Sequence, residues 1–202
     1  INVLLLIHPR DIAPKTEYAL DQFVLRGGKL IAFVDPYAYF DQQPLMPGMP
    51  GQPSSSNLPT LLKAWGAEMD PARIVADVVF ASGSGQRYAP TVLSLNRTAL
   101  SRDDIVTAQV ETLFYPFGGA FKVVSTEGLK AEAIVHSSTN SMLMDAKVAN
   151  TFGEAALKGF TPGGKPLALA VRLSGTFKSA FPDGPPKSER SEEHTSELQS
   201  QF

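Results

Sequence analysis

The hydrophobic pattern is densest in the first 36 residues, and it spells strand, loop, helix, strand. Val3–Ile7 (VLLLI) is a continuous apolar run of strand length. His8-Pro9-Arg10-Asp11 stops it, because proline cannot donate to a sheet ladder. Pro14 suits the first turn of a helix, and Tyr18, Ala19, Phe23 and Val24 recur at helical spacing behind it. Gly27-Gly28 ends that helix, since glycine accepts the left-handed backbone of a C-cap. Arg26 beside it complements the helix dipole. Residues 30–34 (LIAFV) are again apolar without a polar break, which predicts a strand covered on both faces, as in a parallel sheet. Asp35-Pro36 closes this strand at the same edge as His8. The predicted unit is βαβ.

The later pattern is less regular. Residues 41–57 are proline, glycine and serine with scattered apolar positions, which predicts a flexible insertion. Residues 58–65 (LPTLLKAW) predict a short helix with Asn57 as cap, Pro59 in its first turn and Gly66 at its end. Residues 72–80 (ARIVADVVF) predict a strand interrupted by Asp77. Residues 88–95 predict another, although Pro90 argues against a central position. Ser101 with Asp104 three residues on resembles a helix start, and 105–110 fit a short helix or a strand. Residues 117–124, 131–135 (with His136 at the end) and 167–173 (LALAVRL) are further strand candidates, the last well inside the sheet. The fold class expected from this pattern is α/β, a mostly parallel sheet flanked by helices, over residues 1–181.

Composition bounds the function. With 202 residues and 43% hydrophobic content the chain can bury a core. A net charge of -2 and the lack of a Lys/Arg run exclude nucleic acid as a main partner. The absence of cysteine excludes disulfides, thiol nucleophiles and thiolate metal sites. No apolar run approaches the roughly 20 residues of a membrane helix. The chain opens at Ile1 inside an apolar run, which predicts a fragment of a longer protein. Residues 182–202 begin with a proline-rich stop and then have almost no apolar content, which predicts a disordered tail. Within it, 190–200 (RSEEHTSELQS) match the translated reading frame of a common sequencing adapter, so the segment from 190 is set aside as an artefact.

No metal motif and no cofactor fingerprint is present. RGGK follows a helix instead of opening one, SGSGQ lacks the phosphate-loop lysine, and G-x-S-x-G does not occur. His8 and His136 each follow a predicted strand and can meet at one sheet edge, where imidazole serves as acid or base. The plainer alternative is a pair of ordinary loop histidines. Asp35 can take magnesium or a ribose hydroxyl, or it can simply shape the turn before Pro36. Glu17 and Asp21 form a like-charge pair on one helix face, not an acid/base dyad. Phe114, Tyr115 and Phe117 lack basic neighbours and suit a core or a protein contact. The candidate ligand- or partner-binding residues are His8, Arg10, Asp35, Tyr37, Tyr39 and His136. No residue is assigned as catalytic, metal-binding or cofactor-binding.

The opening LLLIHPRDIAPKTEYALDQFVLRGGKLIAFVDPYAYFD resembles the extracytoplasmic domain of the gliding-motility-type auxiliary proteins of ABC transport systems. His8-Pro9, Tyr18, Asp21-Gln22-Phe23, Arg26-Gly27-Gly28 and Asp35-Pro36 carry the resemblance. It continues through LPTLLKAWGAEMDPARIVAD, DIVTAQVETL and LAVRLSGTFKSAF. The resemblance implies a flavodoxin-like or class I glutamine-amidotransferase-like fold, without the amidotransferase chemistry, which needs a cysteine. It implies a parent protein anchored in the bacterial inner membrane, a domain facing the periplasm, and ABC permease and ATPase subunits as partners. The expected function is therefore a non-enzymatic interaction domain that recognises a partner protein or an envelope ligand. The alternatives are a hydrolase using Asp35, His8 and His136, or a sugar or small-solute module with an aromatic groove at Tyr37, Tyr39 and Phe40.

Overall fold

The computed structural model describes residues 1–44 and 51–187. It opens with the βαβ unit. Strands β1 (Val3–Ile7) and β2 (Lys29–Phe33) lie parallel, with Val3 opposite Lys29 and Ile7 opposite Phe33. Helix α1 (Pro14–Leu25) joins them, opened by Pro14 and ended by Gly27 at φ 88°. A Cβ at Gly28 would lie 2.4 Å from the tip of the Phe23 ring, so a side chain there would push that ring aside.

α1 buries a different face from the one its apolar spacing suggests. Glu17, Leu20 and Asp21 are buried, whereas Ala19 is exposed. Each acid anchors another segment. The Glu17 carboxylate accepts the backbone N–H of Thr60 at 3.2 Å, in the first turn of α2 (Pro59–Ala64). Asp21 accepts from the Ser179 hydroxyl at 2.8 Å and from the Ala180 N–H at 2.9 Å. Asn57, expected to cap α2, instead accepts from the Leu58 N–H and donates to the Met69 carbonyl. Leu4, Leu6, Leu30, Ala32 and Val34 pack beneath this layer with Leu20, Leu58, Leu61 and Trp65. Phe177 meets Trp65 edge-on, ring centres 5.1 Å apart.

Beyond β2 the chain departs from the expected architecture. β3 (Ala38–Pro44) and β4 (Gly51–Ser54) pair with each other. After α2 come β5 (Ala67–Met69), β6 (Arg73–Asp77), β7 (Ala81–Ser82), β8 (Ala89–Asn96) and β9 (Thr112–Pro116). They are followed by β10 (Phe121–Val123), β11 (Leu129–His136), β12 (Ser141–Asp145) and β13 (Ala168–Gly175). β11, β13, β10 and β5 make a four-stranded sheet in that order, β7–β8–β9 a three-stranded one, and β12 pairs with β6. Every described pairing except β1–β2 is antiparallel. The expected mostly parallel, flavodoxin-like or amidotransferase-like α/β sheet is thus overturned, and the protein is mostly β. A parallel neighbour requires a crossover of a dozen or more residues, usually a helix. Past residue 66 no α-helix joins the described strands; the connections are turns, 3₁₀ turns and two longer irregular links, 97–111 between β8 and β9 and 146–167 between β12 and β13.

Two local corrections have the same physical character. β8 is the central strand of its sheet although it contains Pro90. Its register with β7 slips between Ala89 and Leu93, and pairing with β9 begins at Val92, so Pro90 owes no ladder bond. The helix expected after Ser101 is absent. The Asp104 carbonyl accepts from Thr107 and Ala108, and the Asp104 carboxylate takes the Arg172 guanidinium in two bonds of 2.5 and 2.8 Å. The main core lies between the antiparallel sheets, around Val75, Phe80, Leu93, Leu95, Leu100, Val135 and Leu169. Residues 45–50 of the predicted insertion, and the predicted tail from 188 on, lie outside the described residues.

Candidate functional site

The carboxyl ends of β1 and β2 deliver the first polar groups. His8 follows β1 directly. Its N–H donates to the Phe33 carbonyl at 2.9 Å, and its φ of 50° puts it in the left-handed region. Asp35 follows β2. Its Oδ1 accepts the Tyr37 N–H at 2.8 Å, its own N–H donates to the Ser56 hydroxyl, and its carbonyl accepts the Ser56 N–H. These bonds are the turn-shaping role. Burial pushes the Asp35 carboxyl above its ordinary value, against the pull of the Tyr37 N–H and of His8. The phenol of Tyr115 is raised too, chiefly by burial and further by Asp35.

The β3–β4 hairpin supplies the rest. Ala38 pairs with Ser54, and Gln42 with Pro53, so Tyr39, Phe40 and Asp41 stand opposite no residue of β4. Such a bulge re-aims side chains. Asp41 is aimed at the β1 edge. Its Oδ2 accepts from the Ser54 hydroxyl at 2.5 Å and from Arg10 at 2.9 Å, and lies 3.3 Å from His8 Nε2. Arg10 Nε also lies 3.3 Å from the Asp11 carboxylate. Tyr39 stacks on Phe117 with centres 5.6 Å apart, and Phe40 meets Tyr39 edge-on at 5.2 Å. Tyr39 is 43% exposed and Phe40 95%. Tyr37 packs on Phe117 from another side, and its hydroxyl accepts from Asn150 at 2.7 Å.

Proton bookkeeping fixes the sense of the polar chain. Ser54 has one proton, and the Asp41 carboxylate can only accept, so Ser54 donates to Asp41. His8 Nε2, 2.8 Å from the Ser54 oxygen, must then be the donor to it. The proton therefore sits on Nε2. Nδ1 is buried and has no hydrogen-bond partner among the described residues. The chain runs His8 to Ser54 to Asp41, with Arg10 also donating to Asp41. A serine activated for attack needs the reverse, an imidazole accepting its proton.

Of the sequence-derived candidates, His8, Arg10 and Asp35 share one edge, and Tyr37 and Tyr39 follow it. His136 stands apart. Its ring Nδ1 bonds the Ser137 carbonyl at 2.9 Å, and among the described residues no hydrogen bond or ion pair ties it to His8 or Asp35. Among the same residues no group of three or more His, Asp or Glu side chains is placed to hold a metal ion. Asp41, Ser54, Ser56 and Asn150 were not visible as site residues in the sequence. The bulge that aims Asp41 lies in a proline- and glycine-rich stretch with no strand periodicity, and Ser54 meets a histidine 46 positions earlier.

The family described as "ABC-type uncharacterized transport system" matches residues 1–201, and the chain belongs to that family. No match is found among curated proteins or solved structures.

Proposed function

From that membership we propose that the chain is a non-catalytic recognition domain of an ABC-type transport system, held at the inner membrane and facing the periplasm. Its binding edge is formed by the loops after β1 and β2 and by the β3–β4 bulge. The partner is the ABC permease and ATPase assembly. The family's transport association is the ground for this reading. The observation that carries it is the His8–Ser54–Asp41 chain. Its donors all point toward an acceptor-only carboxylate, which suits a rigid recognition edge and not a nucleophile. Beside it, Tyr39 and Phe40 offer aromatic surface, the residue type enriched in protein contacts. No helix among the described residues is long and apolar enough to cross a membrane, so anchoring is assigned to the parent protein.

The test is affinity purification of the intact membrane protein. Wild type is expected to bring down an ABC permease and ATPase. Phe40→Ala and Arg10→Ala are expected to lose both at unchanged protein level. Reproducible recovery of neither subunit with wild type sinks the reading. A specific observation also favours the small-solute alternative, namely the exposed Tyr39–Phe40 pair beside hydrogen-bonding groups. Saturable binding of a sugar by the chain, abolished in Phe40→Ala, would select that reading instead.

A further inference from the structure

Among the described residues, three that are not glycine hold a left-handed backbone: His8 and Asp11, each at φ 50°, and Phe117 at φ 54°. A bulky residue in that region is an outlier. Such strain persists only where the surroundings enforce it, and it gathers where a side chain must be held in one place. His8 and Asp11 stand in the loop after β1, inside the recognition edge. Phe117 comes from a distant part of the chain, directly after β9, yet its ring reaches the same edge.

Two strands impose the conformation of Phe117. Its N–H donates to the Thr91 carbonyl of β8 at 2.8 Å, and the carbonyl of the next residue, Gly118, accepts the Val75 N–H of β6 at 2.9 Å. The backbone is thus pinned on both sides. The side chain packs with Ile74 and Ala149, both fully buried. Tyr37 tilts against the ring with centres 5.4 Å apart, and Tyr39 stacks on it at 5.6 Å with 28° between the planes. Tyr39 opens the bulge that continues through Phe40 and Asp41, and none of the three has a ladder partner on β4. Ser54 and Arg10 hold the far end of the bulge at Asp41. The stack on Phe117 holds its near end.

We propose that Phe117 is a positioning residue of the recognition edge: its pinned, left-handed backbone sets the ring as a fixed platform under Tyr37 and Tyr39, and that platform determines where Phe40 and Asp41 stand. The proposal rests on the recognition reading for its purpose. Two measurements on the 202-residue chain need no partner, so their failure is distinct from a failure to recover permease and ATPase.

The first measurement reads the backbone. At φ 54° glycine is unstrained and alanine is not, so the urea midpoint of Phe117→Gly is expected to exceed that of Phe117→Ala. The reverse order overturns the proposal. The second reads the aim of the bulge at His8, whose Nε2 lies 3.3 Å from Asp41. Phe117→Leu keeps an apolar side chain against Ile74 and removes the ring. It is expected to move the His8 imidazole resonance in NMR spectra toward its position in Asp41→Asn, while Phe117→Tyr stays at the wild-type position. His136, which stands apart from the edge, is the internal control. Tyr39→Ala lies at a 43% exposed position outside every core cluster, so it removes the stack from the other side without opening a core. It is expected to move His8 in the same direction. A His8 resonance unmoved by both variants overturns the proposal. So does a shift shared equally with His136, which marks general loosening instead of lost aim. In the intact membrane protein, Phe117→Leu is expected to cut recovery of permease and ATPase at least about tenfold at unchanged protein level, and Phe117→Tyr to retain it. Full recovery with Phe117→Leu overturns the proposal. Wild type recovering neither subunit overturns the recognition reading instead, and the two measurements above still decide the platform.

Discussion

Two aspartates, Asp77 and Asp41, solve opposite problems. Asp77 is fully buried at the end of β6 and accepts four bonds, from the N–H groups of Val79, Phe80 and Ser138 and from the Ser138 hydroxyl. It has no ion-pair partner among the described residues. Its four donors clamp the turn after β6 to the turn after β11, where Ser137 and Ser141 share a further bond of 2.7 Å. Asp41 is partly exposed and gathers Ser54, Arg10 and His8. One carboxylate is saturated by backbone and its own turn, which makes it a fastener. The other is served by side chains from separate segments, beside a buried histidine nitrogen with no hydrogen-bond partner among the described residues. A buried charge with full hydrogen bonding is rigid and silent. A partly exposed one, held by groups that can change partners, is where a ligand or protein can compete.

The sharpest way to break this contrast is Asp77→Ala. It strands three backbone N–H groups in or near the core, and is expected to cost roughly 3 kcal/mol or more in urea unfolding. A loss no larger than that of Asp41→Ala would erase the distinction. Asp21→Ala comes next, at about 2 kcal/mol, because it frees the Ser179 hydroxyl and the Ala180 N–H. Hydrogen exchange should rise first at residues 176–181. Asp41→Ala and Ser54→Ala are expected to stay within about 1 kcal/mol of wild type, since the pairs they break are partly solvated. Their effect belongs instead in recovery of the transport partners. The smallest effect sharpens the contrast through pH. Asp35 is raised above 3.8 in the folded protein, so its contribution to stability is fully present below 3.8 and is lost as pH rises through the folded value. Asp35→Asn keeps an acceptor for the Tyr37 N–H and removes that loss. Its urea midpoint is expected to exceed wild type at pH 7 and to match it at pH 3.

The clamp and the edge also differ in how far the sequence betrays them. The βαβ unit is legible because VLLLI, the Pro14 start, the Gly27 stop and LIAFV are local signals, each with a backbone cause. His8 and Asp35 are legible as edge residues for the same reason. The covering of the sheet is not. Exposed Leu5 and Phe33 sit in runs as apolar as their half-buried neighbours Leu4 and Leu30, so composition predicts two covered faces where the described residues supply one. The antiparallel remainder is not distinguishable from a parallel sheet in the sequence, because apolar runs do not declare their direction. What sets direction is the connection, and 3₁₀ turns leave little trace in composition. Glu17 and Asp21 mislead for a further reason. Their partners, Thr60 and Ser179–Ala180, lie 43 to 159 positions away, so a pair that looks repulsive along the helix is satisfied only in three dimensions.

The three bulged residues of β3 separate what the edge presents from what holds it in place. Tyr39, Phe40 and Asp41 have no ladder partner on β4, so exchanging them leaves the register of the hairpin in place. Exchanges in this tripeptide can therefore change what the edge presents while the βαβ frame beneath it stays in place.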